Sequence, residues 1–176
     1  MLIGDNFTIK TSDYEEDNTL KLSPKDMVLL HFLEKGRDVA KSLPEGVVIS
    51  ADTVVIVGGE VFGKPADHEG AKEMLAKMSG KVIDVISGLA VIDVETKKEL
   101  RDFEITKVKF KEMTQQEIDD YVATDEPLGK AGSFGIQGKA ATLIEKIDGD
   151  YSNILGLPLF KLNNLLSQLG ISIFDF

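Results

Sequence analysis

Residues 49–65, ISADTVVIVGGEVFGKP, hold the most chemically suggestive group in the chain. The apolar run over 47–57 is broken once, by the polar stretch Ser50, Ala51, Asp52 and Thr53. A carboxylate in such a run is costly to bury unless it meets a partner or a metal. Asp52 therefore either satisfies nearby backbone donors or does chemistry. Lys64, between Gly63 and Pro65, brings a cation towards the same end of the predicted hairpin; alone, Gly-Lys-Pro reads as a turn with a solvated lysine. A second unusual stretch is 129–138, GKAGSFGIQG, with four glycines in ten residues. Its backbone can approach a ligand and present amide donors, with Lys130 and Gln137 adding a charge and an amide. A flexible connection needs neither. The spacing is neither a P-loop nor a dinucleotide fingerprint.

The remaining candidates are acids and lysines. The patch 12–17 (SDYEED) reads as a solvated loop or as a source of oxygen ligands for a hard cation such as magnesium. Lys35 falls where an apolar residue would continue a helical ridge; it either snorkels to water or points into a cleft. Glu104 shares a strand face with apolar residues, so it marks an exposed strand end or a site. His31 has no companion ligand and takes no role. Neither a supported serine–histidine pair nor a histidine cluster is present, so acyl transfer and zinc hydrolysis find no footing. Carboxylates with lysines suit metal-assisted attack on a phosphate. Glutamine donates and accepts together, which suits reading a nucleobase edge. Composition and spacing lead to an α/β domain for a phosphate ligand, best a nucleotide.

The elements that must position these groups follow from periodicity and caps. A strand is expected over 7–10. Ser23 and Pro24 open a helix whose face carries Leu29, Leu33, Gly36, Ala40 and Leu43, beside a ridge of Val28, Phe32 and Val39. Gly36 inside it costs about 1 kcal/mol relative to alanine and points to a close backbone approach. The buried strand before Gly58-Gly59 turns back to Gly63. Asp67 caps a helix with Ala71, Met74, Leu75 and Met78 inside and Gly80 as its stop. A long buried strand spans 82–94, with Ser87-Gly88 at a bulge, and an alternating strand spans 103–111. Thr114 and Glu117 form a capping box for a short helix closed by Pro127. A strand over 142–147 and a leucine-striped helix from Pro158 to Gly170 follow. Residues 171–174 are expected to return to the sheet.

The bulk properties agree. A chain of 176 residues suits one domain, or one domain with two lobes. A net charge of −10 argues against a sequence-independent grip on a nucleic-acid polymer. The absence of cysteine excludes disulfides and thiolate chemistry. No signal peptide or membrane-length apolar run is evident, so a cytoplasmic location is expected.

Ser-Ala-Asp-Thr-Val-Val at 50–55, Gly-Lys-Pro at 63–65, the helix ending Met-Ser-Gly at 78–80, Lys-Ala-Gly-Ser-Phe-Gly-Ile-Gln-Gly at 130–138 and Asn-Ile-Leu-Gly-Leu-Pro at 153–158 closely resemble the Maf family. The likeness runs from about residue 7 to 170, with the motifs in order. It implies an intracellular nucleoside triphosphate pyrophosphatase that cuts between the α and β phosphates, releasing a monophosphate and pyrophosphate. It also implies one α/β Maf-like domain over 1–176. Its fold would be related to the inosine triphosphate pyrophosphatases: a central twisted mixed sheet flanked by helices, with two lobes and a cleft. A divalent cation, magnesium or manganese, and often a homodimer are further implications. By position, Asp52 matches the proposed proton acceptor, and Glu16, Lys35 and Lys64 match polar site positions. Glu16 and Asp52 are the implied metal carboxylates. Thr53 and Gln137 match positions tied to base selection, and Lys130 and Gly135 belong to the implied substrate-binding loop. The Ala-Asp-Thr and Gly-Ile-Gln-Gly forms resemble the branch acting on dTTP and UTP, including modified pyrimidine nucleotides as candidate substrates.

One departure accompanies the likeness. The family's usual Ser-x-Ser-Pro-Arg-Arg segment occurs nowhere in the sequence; Ser23-Pro24-Lys25 is the cap of the first helix. The first strand and phosphate loop of the family are then expected to be missing from this stretch, through a misplaced start or a shortened chain. The alternative is a natural variant with weakened or lost turnover, which leads to the other reading of the chain, a non-catalytic nucleotide-binding regulator linked to cell division or septum formation.

Overall fold

The structure is a computed structural model that describes residues 7–17 and 19–175. Helix α1 (Pro24–Lys41) begins where Ser23 leaves extended geometry and its hydroxyl accepts the Asp26 amide at 3.1 Å. Val28, Phe32 and Leu33 are buried along it. Gly36 permits the expected close approach: a Cβ there would stand 2.5 Å from Ser50 Oγ. The Ser50 hydroxyl donates to the Phe32 carbonyl at 2.6 Å.

Strand β1 (Val47–Val57) turns at Gly58 and Gly59, with φ of 59° and 92°, into β2 (Glu60–Phe62). The pair is antiparallel, with Val55 opposite Phe62 and Val57 opposite Glu60. Helix α2 (His68–Met78) is capped by Asp67, which accepts the Gly70 amide at 2.9 Å, and it buries Ala71, Leu75 and Met78. Strand β3 (Val82–Asp93) is buried almost throughout. Gly88 within it lies against Phe32, whose ring would be 2.1 Å from any added Cβ. Strand β4 (Glu99–Phe110) starts before the expected Phe103 and alternates as expected, with Thr106, Val108 and Phe110 fully buried. Helix α3 (Gln115–Val122) carries both halves of the capping box formed by Thr114 and Glu117. Strand β5 (Ile144–Asp148) pairs antiparallel with β4. Helices α4 (Tyr151–Ile154) and α5 (Leu159–Ser167) complete the order, and the sheet runs β2-β1-β3-β4-β5. The α/β class is as expected.

Three local expectations are corrected. Residues 7–10 form no strand; Ile9 is 86% exposed, and the alternation there finds no ladder among the described residues. The expected strand over 142–147 is shorter, because Lys139–Leu143 winds as a 3₁₀ turn first. Residues 171–174 do not rejoin the sheet. The end of α5 closes with Ile171 N bonded to Leu166 O and Gly170 N bonded to Ser167 O, a Schellman pattern that redirects the chain. Ile171 and Ile173 then pack on the apolar cluster of α5, and Ile173–Asp175 is a 3₁₀ turn.

The chain divides into two compact units. One comprises the described residues up to Asp52, Gly88–Glu104 and those from Leu157 on, with Leu89, Val91, Leu162, Leu165 and Leu166 at its core. The other comprises Thr53–Ser87 and Ile105–Gly156. Its core includes Leu75, Met78 and Val85, and the rings of Phe110 and Phe134 meet edge-on at 5.2 Å. Among the described residues no helix is long and apolar enough to cross a membrane.

Candidate active site

Three predicted residues converge in the first unit. Asp52 sits on β1, Lys35 on α1, and Glu16 on the loop before α1. The Lys35 ammonium is hydrogen-bonded to Glu16 Oε1 and stands 3.6 Å from Asp52 Oδ2. All three side chains are about one-third exposed. Burial alone would lower the Lys35 pKa, but the bond to Glu16 and the charge of Asp52 outweigh it, and the pKa is raised. Lys35 is thus held as a cation between two carboxylates rather than snorkelling to bulk water.

The acidic loop that carries Glu16 is tied down, not loosely solvated. Ser12 Oγ and the Asp13 amide donate to Asp38 on α1 at 2.9 and 2.8 Å. Tyr14 Oη meets Nδ1 of the buried His31 at 3.1 Å. His31, given no role from sequence, is therefore the buried anchor of the loop that delivers Glu16.

The group offers oxygen donors of the kind a hard cation takes. Magnesium commonly uses one or two protein carboxylates and completes its shell with phosphate oxygens and water. Glu16 and Asp52 fit that pattern in type and number. Among the described residues no cluster of three or more acidic or histidine side chains forms a self-sufficient metal cage.

The second unit contains a cavity of about 530 Å³. Thr53, Lys130, Gly135 and Gln137 all line it, so four of the residues picked from sequence share one cavity. Lys64 is not among its lining residues; it lies exposed in the turn after β2, where Gly63 O accepts the Gly132 amide at 3.0 Å. That bond fastens the glycine-rich loop to the Gly-Lys-Pro turn. Gly132, at φ 66°, also lets the loop lie on Val55, which an added Cβ would meet at 2.9 Å.

Glu126 escaped the sequence reading. It lines the cavity, and its carboxylate accepts the amides of Lys139 at 2.9 Å and Ala140 at 3.3 Å and the Tyr121 hydroxyl at 3.1 Å. Burial pushes its pKa up, but these donors together hold it below the usual carboxylate range. Gly138 packs against it, with room for no Cβ: one built there would lie 2.3 Å from Oε1. Lys130 donates its ammonium to the Glu126 carbonyl at 2.5 Å. The loop is thus wound around Glu126. The available signal was an acid beside Pro127, followed by glycines at 135 and 138 that leave space for a neighbour.

The other residue missed is Ser87. Thr53 Oγ1 and Ser87 Oγ are 2.6 Å apart, and Ser87 Oγ donates to the Asn153 carbonyl at 3.0 Å. Ser87 and Asn153 are fully buried. Asn153 is itself fixed by donating Nδ2 to Val85 O and Thr106 Oγ1, each at 2.9 Å. A serine in an apolar strand carries the same signal that drew attention to Asp52.

Comparison with known proteins bears on what such groups do. The family profile described as Maf-like protein matches residues 1–169. A protein of Methanosarcina mazei named dTTP/UTP pyrophosphatase is 48% identical over 174 residues, 99% of this chain and 88% of its own length. Proteins of the same name from Methanococcoides burtonii and Dictyoglomus thermophilum are 46% and 42% identical, covering 99% and 97% of this chain and 89% of their own lengths.

Proposed function

The chain belongs to the Maf family, and we infer that it is a nucleoside triphosphate pyrophosphatase acting on dTTP and UTP. It cuts the anhydride between the α and β phosphates and releases the monophosphate and pyrophosphate. The observation that carries this is the identity of 42–48% with dTTP/UTP pyrophosphatases over nearly the whole chain. The reading of the chain as a non-catalytic regulator is not favoured.

Within this reading each residue takes a role. Asp52 accepts the proton of the attacking water, the part a positioned carboxylate plays as general base. Lys35 and Lys64 neutralise phosphate oxygens. Thr53 and Gln137 select the base, with Lys130 and Gly135 in the loop beside it. Glu16 and Asp52 would hold a divalent cation, magnesium or manganese, which supplies charge neutralisation at the phosphoryl oxygens. A single Maf-like domain, a cytoplasmic location and a homodimer complete the proposal; its partner is a small nucleotide rather than a nucleic-acid polymer or a membrane.

The test is pyrophosphate release by the purified chain with magnesium or manganese across the common nucleoside triphosphates. Turnover of dTTP and UTP with stoichiometric pyrophosphate is expected. Release of orthophosphate, or no release at all, would overturn the assignment.

A further inference from the structure

Thr53, on the wall of the cavity, heads a hydrogen-bond relay that runs through the buried Ser87 to Asn153, and proton count gives it a direction. A serine hydroxyl has one proton to donate. A backbone carbonyl can only accept, so the 3.0 Å contact from Ser87 Oγ to Asn153 O uses that proton. Distance alone lets either hydroxyl donate in their 2.6 Å contact; with the Ser87 proton on Asn153 O, Thr53 is the donor. The Asn153 carbonyl is a firm terminus: it also takes the Gly156 amide at 2.9 Å, and the side chain of Asn153 is anchored at two points. Ser87 is wholly buried, so water does not compete for its hydroxyl.

With its proton spent on Ser87, Thr53 Oγ1 offers a ligand only lone pairs. Uracil and thymine carry an N–H donor at N3, whereas cytosine carries a lone pair there. We propose that Ser87 is a specificity-positioning residue: by holding Thr53 Oγ1 as an acceptor on the wall of this cavity, it selects nucleotides whose pyrimidine has an N3–H donor and disfavours cytosine. Gln137, which lines the same cavity, has an amide that can donate to the flanking carbonyls of such a base. The inference rests on the pyrophosphatase reading and adds what the site measures in the base. Its discrimination comes from an unpaired or repelled polar edge, which penalises the wrong ligand more strongly than a missing contact does.

Kinetics of Ser87→Ala and Thr53→Val against the wild-type protein, on UTP and CTP, test the relay. Without the Ser87 acceptor the Thr53 hydroxyl can turn its proton towards the ligand. The ratio of kcat/KM for UTP over CTP is expected to fall about tenfold in each variant. The change should appear in KM more than in kcat. The double variant should be no less selective than either single one, because both break the same relay. A Ser87→Ala protein with the wild-type ratio would overturn the proposal. Wild-type protein with N3-methyl-UTP gives a readout independent of how the variants fold: its KM should rise well above that for UTP, and equal KM values would also overturn the relay. If the wild-type protein released no pyrophosphate from any nucleotide, the activity assignment would fall instead. Equilibrium binding of UTP against CTP and N3-methyl-UTP would then decide the relay on its own.

Discussion

The decisive feature at the scale of single residues is that Lys35 stands between two acids while keeping its charge. An ammonium has three donors, so with Glu16 and Asp52 as its partners Lys35 keeps one for a phosphate oxygen. Asp52→Asn keeps the shape and removes the base. Turnover of dTTP should fall by about 10²- to 10⁴-fold, the usual worth of a general base, while nucleotide binding persists. Steady-state rates paired with calorimetric binding check this, and full turnover in the variant would remove Asp52 from the mechanism. Glu126 is different in kind: it meets two loop amides and a tyrosine hydroxyl. Glu126→Ala strips those amides of their acceptor, at about 1–3 kcal/mol in unfolding free energy. Nucleotide KM should rise with it, read from chemical denaturation and from kinetics. Asp52 was legible because an acid in an apolar strand is conspicuous; Glu126 was not, because an acid in a loop looks ordinary until its acceptor role is seen.

Caps are the most readable elements, since their chemistry lies within a few residues. Ser23, Asp67 and Thr114 each bond the amide three residues on, as their types predict. The expected strands at 7–10 and 171–174 failed because alternation names a face and not a partner. The α3 cap also sets a pH dependence. Glu117 bonds Lys111, the Thr114 amide and the Thr114 hydroxyl, and its pKa is lowered from 4.5 to about 2 by Lys111 first and the amide next. A depressed carboxylate contributes stability above its unfolded pKa and loses it as pH falls through the folded one. The stability difference between wild-type and Glu117→Gln proteins should therefore be constant above about pH 4.5 and shrink towards pH 2. Urea titrations through that window check it; a difference that does not shrink would deny the cap its ionic character. Gly88 tests a close approach of α1 and β3. Alanine there puts a Cβ 2.1 Å from the fully buried Phe32 ring, so ring or backbone must shift. Gly88→Ala should cost at least about 1–3 kcal/mol by thermal unfolding. The sequence suggested a bulge at this glycine; its observed service is room for an aromatic ring.

For the whole molecule, two lobes were expected, but the boundaries between the two units left no mark in the sequence, and the reason lies in how the chain is routed. Neither unit is a continuous stretch. Three of the four passages between them, at 52/53, 87/88 and 104/105, fall inside β1, β3 and β4. A linker rich in glycine, proline or polar residues is the usual sign of a boundary, and a strand interior cannot carry one. The same routing bears on unfolding. Each unit has its own core, with Leu75 and Leu162 fully buried in one each. If the units melted separately, half of each of three strands would be left with its backbone continuing into disorder, and the surviving half would lose its anchoring. One cooperative transition is expected instead. Leu75→Ala and Leu162→Ala should each cost about 2–5 kcal/mol through the cavity they leave. Both should shift the same single transition to lower temperature, with calorimetric and van't Hoff enthalpies in agreement. Two resolved transitions in either variant would mean that the cores are energetically separate, and that the strands shared between them can be lost by halves.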